Sequence, residues 1–464
     1  MKRGIHVALP TKSAQSDRQS PAMSSGRLDV PVTDAEASFD ELVHAHPERT
    51  RSAVDDLRRL LTSREIRFGG GPLPTSLKPH FVRRADNDHW VELLAQALTI
   101  MERTADELRD SKTFRQEGPF SPEAWDLFDI DPGYSKTAVV CRPDVVWERG
   151  RIGMLEMNAD SPAMMLYADV IQDLQRNLFP LDRIDAGLLT FEYRIPVLLD
   201  TLVSTYREWG GTSSNPVIAI IDWQGQKTSS EQEQLALAFS KLGCPSFTCS
   251  PHELEVRGGR LYGRGEPIDI VQRRLLFPEI VKRRDEVGAL VTAYRERFAC
   301  VINPLRSYLI GCKAILAELC DRDRHKRLTP EEAEVLRAIL PCTVGPDGMT
   351  DDEMQERIRW VLKPIFGSGG SGVVIGRYTD EATWEHALRV ARQGNWVAQT
   401  FLPIPLYRVP LTSTAAFAML PLYANWNPFF FGGRAAGGIA RVSSDPVVGI
   451  SARGALLPTV LVNE

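Results

Sequence analysis

The stretch CRPDVVWERGRIGMLEMNAD, residues 141–160, decides the fold of this chain. Polar and apolar residues alternate along both of its halves, and a turn at 148–151 separates them. Alternation with a period of two is typical of β-strands, because successive side chains point to opposite faces. The stretch therefore predicts an antiparallel hairpin whose turn is centred on Gly150.

One face of this hairpin carries four polar side chains. With the turn at Gly150, Asp144 lies opposite Glu156, and opposed Cβ atoms are about 5 Å apart. The same register places Arg142 opposite Asn158. The other face consists of Pro143, Val145, Trp147, Gly153, Leu155 and Met157. Two facing carboxylates repel each other, so we expect something positive between them. A solvent-facing hairpin with a simple arginine–carboxylate pair is the alternative.

The composition sets limits on the class of protein. With 464 residues, 43% of them hydrophobic, the chain can bury a sizeable core in two or three subdomains. A net charge of −5 argues against nucleic-acid binding. No apolar run reaches the roughly 18 residues of a membrane helix, and we expect a cytoplasmic protein. The seven cysteines are scattered without a CxxC pair, which favours free thiols over zinc.

Local patterns predict the order of elements. Apolar residues at three- and four-residue spacing indicate helices over about 33–110, 164–178 and 191–209. The run NPVIAIID at 215–222 reads as a buried strand, and a helix near 230–242 and a strand at 245–249 follow. This alternation predicts a small parallel sheet.

A glycine-rich loop and two lysines form a second chemical signal. Lys363 precedes the loop Gly367–Gly372, which has four glycines in six residues, and Val373–Ile375 resumes a strand. Glycines let backbone N–H groups approach phosphate oxygens. The loop lacks the Gly-Lys-Ser/Thr sequence and following helix of a Walker A motif. A plain hairpin turn is the alternative. Lys313 begins an amphipathic helix, where it either extends to water or binds an anion.

Four segments together resemble the circularly permuted ATP-grasp ligases of the glutathionylspermidine synthetase-like family. They are RPD at 142–144, EMNAD at 156–160, VLKPIFGSGGSG at 361–372 and RAAGGIARVSSDPVVGISARGALLPTV at 434–460. The spacing of twelve residues from Asp144 to Glu156 also matches the family. The resemblance covers roughly residues 140–464.

The resemblance implies a mixed α+β and α/β fold, a circularly permuted ATP-grasp with a helical N-terminal region and a small parallel-sheet subdomain. The expected divisions are a disordered or weakly ordered tail at 1–30, the helical region at 31–135, the metal-binding hairpin and helices of the core at 136–212, an α/β subdomain at 213–310, a nucleotide-binding lid at 311–400 and the C-terminal part of the core at 401–464.

By the same resemblance, the cofactors are ATP and Mg²⁺. Asp144, Glu156 and Asn158 would supply the hard oxygen ligands that Mg²⁺ prefers, and the metal would cancel the carboxylate repulsion. Lys313 and Lys363 would hold the α- and β-phosphates. The flap over the β- and γ-phosphates would consist of Gly367, Ser368, Gly369, Gly370, Ser371 and Gly372.

The remaining site residues also follow from the resemblance. Arg142 and Arg441 would stabilise the transferring phosphoryl group or the acyl phosphate. The adenine edge would meet Gln399 and the backbone of Thr400, Phe401 and Leu402, with main-chain carbonyls recognising its amino group; the alternative is a plain buried strand. Predicted substrate contacts are Asp160, Ser161 and Arg434, against the alternatives of a loop cap for the first two and an exposed surface residue for Arg434.

The implied reaction is ATP-dependent joining of a carboxylate to an amine through an acyl phosphate. The run NADSPAMMLY at 158–167 replaces polar contacts of the family with apolar ones, which favours an amino acid or peptide in specialised metabolism over glutathione. Small-molecule acids and amines are the expected partners, with a carrier-protein thiol as the alternative acceptor. A non-catalytic scaffold and a kinase are the competing functions. A homodimer is the default assembly.

Overall fold

The computed structural model describes residues 33–148, 150–179, 181, 184, 188–367, 369–412, 417–450 and 454–463. The predicted tail at 1–30 and Ser368 of the glycine loop lie outside these ranges. Among the described helices, none is long and apolar enough to cross a membrane.

Helices occur along most of the chain. Their bounds are α1 Asp34–Ala45, α2 Pro47–Ser63, α3 Arg84–Asp110, α4 Lys112–Glu117, α5 Pro122–Phe128, α6 Met165–Leu178, α7 Arg194–Glu208, α8 Ser229–Lys241, α9 Phe277–Lys282, α10 Gly288–Arg295, α11 Tyr308–Gly311, α12 Ala314–Cys320, α13 Arg322–His325, α14 Pro330–Ile339, α15 Asp351–Gln355 and α16 Glu381–Ala391.

The strands build several sheets. Their bounds are β1 Arg67–Phe68, β2 Gly71–Pro72, β3 His80–Arg83, β4 Val140–Glu148, β5 Arg151–Asn158, β6 Leu189–Thr190, β7 Ile218–Ile221, β8 Ser246–Cys249, β9 Leu254–Arg257, β10 Arg260–Gly263, β11 Glu266–Ile268, β12 Ile270–Arg273, β13 Cys300–Ile302, β14 Thr343–Val344, β15 Trp360–Pro364, β16 Val374–Ile375, β17 Trp396–Thr400, β18 Leu406–Thr412, β19 Phe417–Phe431, β20 Arg434–Ser443 and β21 Gly454–Val462.

The largest sheet contains the predicted hairpin. Its order is β3-β21-β20-β19-β4-β5, with β18 paired to β19 and β6 to β21. Arg142 pairs with Asn158 and Asp144 with Glu156, which confirms the predicted register. Beyond Asp144 the register shifts by one residue, because Leu155 forms a β-bulge. The prediction that Leu155 lies on the apolar face is therefore wrong, and this side chain lines a cleft instead.

Helix α3 anchors the apolar face of the hairpin. Its buried side chains recur at three- and four-residue intervals: Trp90, Leu94, Ala97, Leu98, Met101, Ala105 and Leu108. They share one hydrophobic core with Cys141, Val145, Met154 and Met157 of β4 and β5. Burying a large apolar side chain stabilises a protein by about 1.5–3 kcal/mol. This packing fixes the hairpin in place and leaves its polar face to the cleft.

The region 31–135 is not wholly helical as predicted. Between α2 and α3, the strand β3 pairs in parallel with β21, so that His80 lies opposite Thr459. A strand whose partner is at the other end of the chain leaves no local signature beyond its apolar residues. The pairing joins the N-terminal helices to the large sheet.

Two smaller sheets carry the other predicted features. The parallel sheet is confirmed, in the order β13-β12-β7-β8. The second sheet, which we call the lid sheet, comprises β14–β17 in the order β14-β17-β15-β16. Within it the chain runs from β15 through the glycine loop into β16, as predicted. The lid sheet has its own small core with α16.

Candidate active site

A cleft lies between the hairpin and the lid sheet. It holds about 850 Å³ of empty space, including its opening to solvent. Its walls come from β4, β5, β15, β17 and β20, from the start of α12, and from the loops at 367–373 and 446–448. Segments predicted separately from the sequence thus converge on one cavity.

Asp144 and Glu156 both line the cleft, and each has its own cationic partner. Nη2 of Arg441 donates a hydrogen bond to Oδ2 of Asp144. Nζ of Lys313 lies 3.0 Å from Oε2 of Glu156. These contacts place cationic side chains of the protein beside both carboxylates, where they offset the repulsion between them.

Asn158 and Arg142 flank Asp144. Nδ2 of Asn158 donates to Oδ1 of Asp144 at 2.9 Å and to the carbonyl oxygen of Arg142 at 3.0 Å. Nε of Arg142 lies 4.0 Å from Oδ1 of Asp144, and its Nη1 donates to the carbonyl of Ala163 at 2.7 Å. Among the described residues that line the cleft, neither Asn158 nor Arg142 occurs. Both contact the cleft through Asp144.

The two lysines come from separate elements and meet in the cleft. Lys313 is the N-cap of α12, and its Nζ also donates to the carbonyl of Gly367 at 2.7 Å. Nζ of Lys363 donates to Oε1 of Gln399 at 2.6 Å and to the carbonyl of Leu155 at 3.1 Å. The lysines are only 6% and 7% exposed, so neither extends into bulk water. The bulge at Leu155 thus places a carbonyl beside a buried ammonium.

Burial and charge shift the pKa values of these groups in different directions. Burial raises the pKa of Glu156, but the neighbouring ammonium groups of Lys313 and Lys363 together have a larger, opposite effect. The net result is a pKa lowered to about 2. Burial lowers the pKa of Lys313, yet Glu156 outweighs this effect and leaves the pKa raised. Burial lowers the pKa of Lys363 to about 8.

The cluster as a whole is cationic. Arg142, Arg441, Lys313 and Lys363 surround the two carboxylates, which leaves an excess of two positive charges at neutral pH. Charges inside a partly desolvated cleft interact more strongly than they do in water. Such a site favours a polyanionic ligand.

Two asparagines of β19 complete the cluster, and the sequence reasoning missed them. Nδ2 of Asn427 donates to Oδ1 of Asp144 at 3.0 Å, and its Oδ1 accepts from Nε of Arg441 at 2.9 Å. Oδ1 of Asn425 accepts from the same Nε at 3.2 Å. Asparagines two residues apart in the otherwise apolar run YANWNPFFF share one strand face, and this pattern was the available signal.

The glycine loop needs its glycines for two physical reasons. Gly369, Gly370 and Gly372 have φ values of +60°, +74° and +76°, a region that residues with a Cβ rarely adopt. A Cβ on Gly370 would lie 2.5 Å from Cγ1 of Val447, so the loop closely approaches the segment 446–448. Of the predicted flap residues that the structure describes, those lining the cleft are Gly367, Gly369, Gly370 and Ser371.

The segment predicted to meet the adenine edge, residues 399–402, lies along one wall of the cleft, and we call it the hinge. The N–H of Thr400 donates to the carbonyl of Cys342 at 2.8 Å, and that of Phe401 donates to the carbonyl of Arg359 at 2.7 Å. Within the described ranges the N–H of Leu402 makes no hydrogen bond. Of these three backbone amides, only that of Leu402 is available to a bound base.

The oxygen donors in the cleft fit Mg²⁺. Both N–H bonds of the Asn158 amide are engaged by protein acceptors, which leaves its Oδ1 for a cation. Glu156 lies two residues before Asn158 on the same strand, and Asp144 lies opposite Glu156 on the neighbouring strand. Mg²⁺ is usually bound by one or two carboxylates together with substrate phosphates. Among the described residues, no group of three or more His, Cys, Asp or Glu side chains could hold a metal, so any site here depends on the asparagine.

Asp160 and Ser161, which were predicted as substrate contacts, do not line this cleft. Oδ1 of Asp160 lies 2.7 Å from Nη2 of Arg273, and its Oδ2 accepts from the N–H of Phe277 at 2.7 Å. Oγ of Ser161 donates to the carbonyl of Arg273 at 3.1 Å. Strand β5 ends at Asn158, and the following residues join the hairpin to the parallel sheet. The loop-capping alternative describes them better.

Arg434 is also placed away from the site. It begins β20, seven residues before Arg441, a separation of about 23 Å along a strand. Its side chain is 73% exposed and lies 3.7 Å from Asp200. This placement favours the alternative for Arg434, an exposed surface residue.

Comparison with solved structures shows what the fold is similar to. A glutathione synthetase-like effector from Globodera pallida, in its apo form, aligns with a TM-score of 0.60 at 12% identity, over 89% of this chain and 96% of that chain. A putative gamma-glutamylcysteine synthetase from Methylobacillus flagellatus KT aligns at a TM-score of 0.42 and 11% identity, over 82% and 89% of the two chains, and this score is too low to show a shared fold. No family model and no curated protein sequence matches this chain.

The fold of this chain is therefore similar to that of the glutathione synthetase-like effector. The similarity extends over 89% of this chain and 96% of that chain.

Proposed function

We propose that this protein is an ATP-dependent carboxylate–amine ligase that forms an amide, peptide-like bond and releases ADP and phosphate. The observation that carries the proposal is the set of four cations around Asp144 and Glu156, in a cleft bordered by a glycine loop. Positioning and charge neutralisation account for most of the catalysis in phosphoryl transfer, and this site supplies both.

Each part of the cleft has a role in this chemistry. Lys313 and Lys363 bind the α- and β-phosphates, and the glycine loop covers the β- and γ-phosphates. The loop also excludes water, which would hydrolyse an acyl phosphate. Arg441 stabilises the charge on the phosphoryl group during transfer, and Arg142 adds positive charge behind Asp144. Leu402 presents the free backbone N–H to the adenine.

The reaction proceeds in two steps. An oxygen of the substrate carboxylate attacks the γ-phosphorus, and the bond from that phosphorus to the β,γ-bridging oxygen breaks and releases ADP. The nitrogen of the amine then attacks the acyl carbon and loses a proton, and phosphate leaves. Mg²⁺ held by Glu156, Asn158 and Asp144 would neutralise phosphate charge during the first step.

The order of segments supports placement in the circularly permuted, glutathionylspermidine synthetase-like branch. The carboxylate hairpin β4–β5 precedes both Lys313 and Lys363 in the chain. We propose an amino acid or a peptide in specialised metabolism as the substrate.

Turnover with a substrate library tests the proposal. The protein is incubated with Mg-ATP and pairs of carboxylic acids and amines, including amino acids and dipeptides, and ADP, AMP and phosphate are quantified. We expect ADP and phosphate only when an acid and an amine are both present. AMP with pyrophosphate would indicate an adenylating enzyme, and ADP from the acid and a carrier-protein thiol would change the acceptor.

Matched variants connect turnover to the cleft. Glu156→Gln keeps the size of the side chain and removes its charge, and we expect turnover to fall by at least about a hundredfold. Turnover that survives in Glu156→Gln would show that ADP is formed at another site.

A further inference from the structure

Gln399 lies in the hinge strand and lines the cleft, yet both ends of its side-chain amide are engaged by protein groups. The side chain is 1% exposed. Its Nε2 donates to Oγ1 of Thr343 at 3.1 Å, and its Oε1 accepts from Nζ of Lys363 at 2.6 Å. This arrangement differs from the sequence prediction, in which Gln399 contacts the adenine edge.

The orientation of this amide is fixed by a third residue. The hydroxyl of Thr343 donates its single proton to the carbonyl of Pro341 at 3.0 Å, so it can only accept from Gln399. The N–H end of the amide must therefore face Thr343, and the carbonyl end must face the ammonium. Because a flipped amide would set N–H groups against an ammonium, Thr343 determines which end Lys363 meets.

Lys363 is held from two sides. One N–H of its ammonium goes to Oε1 of Gln399, and another goes to the carbonyl of Leu155, which the β-bulge exposes. An ammonium has three N–H donors, so one remains for a ligand in the cleft that Lys363 lines. The buried side chain has a flexible four-carbon stem, and two fixed acceptors restrict where its charge lies.

We propose that Gln399, oriented by Thr343, is a positioning residue that aims the ammonium of Lys363 at the phosphates of a bound nucleotide and does not read the base. The inference rests on the proposed nucleotide-binding function. It assigns Thr343 and the bulged Leu155 to the same task. Base contacts then fall to the hinge backbone at Leu402 and to the apolar walls of the cleft.

The test compares ligands with and without phosphates. Binding of adenosine, ADP and ATP, with Mg²⁺ present, is measured by calorimetry for the wild type and for Gln399→Met, which conserves size. Removing a hydrogen bond to a charged group weakens binding by about ten- to a hundredfold. We expect this loss for ADP and ATP, with adenosine affinity changed less than about twofold.

Two variants of Thr343 test the same inference without changing Gln399. Thr343→Val frees the amide to flip and should weaken ATP binding without affecting adenosine, whereas Thr343→Ser should restore it. Thr379→Val is the matched control, because its hydroxyl also donates to a backbone carbonyl of the lid sheet, that of Ile375 at 2.8 Å, and makes no described hydrogen bond to Gln399 or Lys363. In a Lys363→Met background, Gln399→Met should cause no further loss of ATP affinity.

The outcomes distinguish a role of Gln399 in positioning Lys363 from a role in base binding or in the fold. An equal loss of adenosine and ATP affinity in Gln399→Met would overturn this inference alone, because the side chain would then serve the base or the fold. A further loss in the Lys363→Met background would overturn it as well. If the wild type bound no ATP at all, both this inference and the proposed function would be wrong.

Discussion

The ammonium of Lys313 lies 3.0 Å from Oε2 of Glu156 and also donates to the carbonyl of Gly367. One side chain at the start of α12 thus joins the carboxylate hairpin to the glycine loop. Arg441 likewise donates a hydrogen bond to Asp144. Each of the two facing carboxylates is therefore stabilised by a cationic side chain of the protein. The remaining positive charge of the cluster is available to the phosphates of a ligand.

The pH dependence of nucleotide binding should report Lys363. Burial lowers its pKa to about 8, so the free protein loses this charge as the pH rises through 8. A bound phosphate favours the charged form, so binding takes up a proton and affinity should fall by up to about tenfold per pH unit above 8. Calorimetry in buffers of different ionisation enthalpy measures the uptake. The same alkaline slope in Lys363→Met would refute the assignment.

Asn427 should matter for catalysis although it does not line the cleft. Asn427→Leu leaves Oδ1 of Asp144 and Nε of Arg441 each short of one partner. We expect kcat/KM for ATP to fall by about ten- to a hundredfold, with the larger part in kcat. Steady-state kinetics on the acid and amine pair found by the library screen provide the measurement. Unchanged kinetics would show that Arg441 is held adequately by Asn425 alone.

Asp160 should affect stability and leave nucleotide binding intact. Asp160→Asn removes the partner of the fully buried Arg273, and breaking such a pair costs about 3–5 kcal/mol. Denaturant unfolding should show this loss, while ATP affinity at a temperature where the variant is folded should match the wild type. A stable variant with a raised KM for the acid would restore the original substrate assignment.

Arg434 and Arg441 lie on the same strand and should behave in opposite ways. Arg434→Ala removes an exposed side chain outside the cleft, so turnover should stay within about twofold of the wild type. Arg441→Ala should abolish turnover, because it leaves the buried Asp144 without its cation. Parallel assays of the two variants check this, and a large loss in Arg434→Ala would mean that the substrate extends toward Asp200.

The sequence predicted those features that depend on local alternation. The pairing of Asp144 with Glu156 follows from strand periodicity and turn position, and the glycine loop follows from the left-handed conformations that only glycine adopts easily. Leu155 was misplaced because a bulge is decided by tertiary contacts, here by its carbonyl beside Lys363. The strand at His80–Arg83 was missed because its partner lies at the far end of the chain.

Within the site, the charged residues were easier to predict than the contacts that each of them makes. The sequence indicated Lys313 and Lys363 but gave no means of knowing that Gln399 faces a lysine. Asp160 and Ser161 follow the hairpin so closely that a shared site was expected, yet the strand ends at Asn158 and their side chains turn to the parallel sheet. Asn427 became a candidate only when β19 was placed beside β4.

We propose that this one cleft binds the phosphates of ATP. Its most direct test is calorimetric titration of Mg²⁺ and a non-hydrolysable ATP analogue into the wild type and into the Lys313→Met/Lys363→Met double variant, which needs no knowledge of the other substrates. We predict saturable binding at one site per chain in the wild type and none in the double variant. Equal binding by both proteins, or no binding by the wild type, would show that the cleft does not bind ATP phosphates through these lysines.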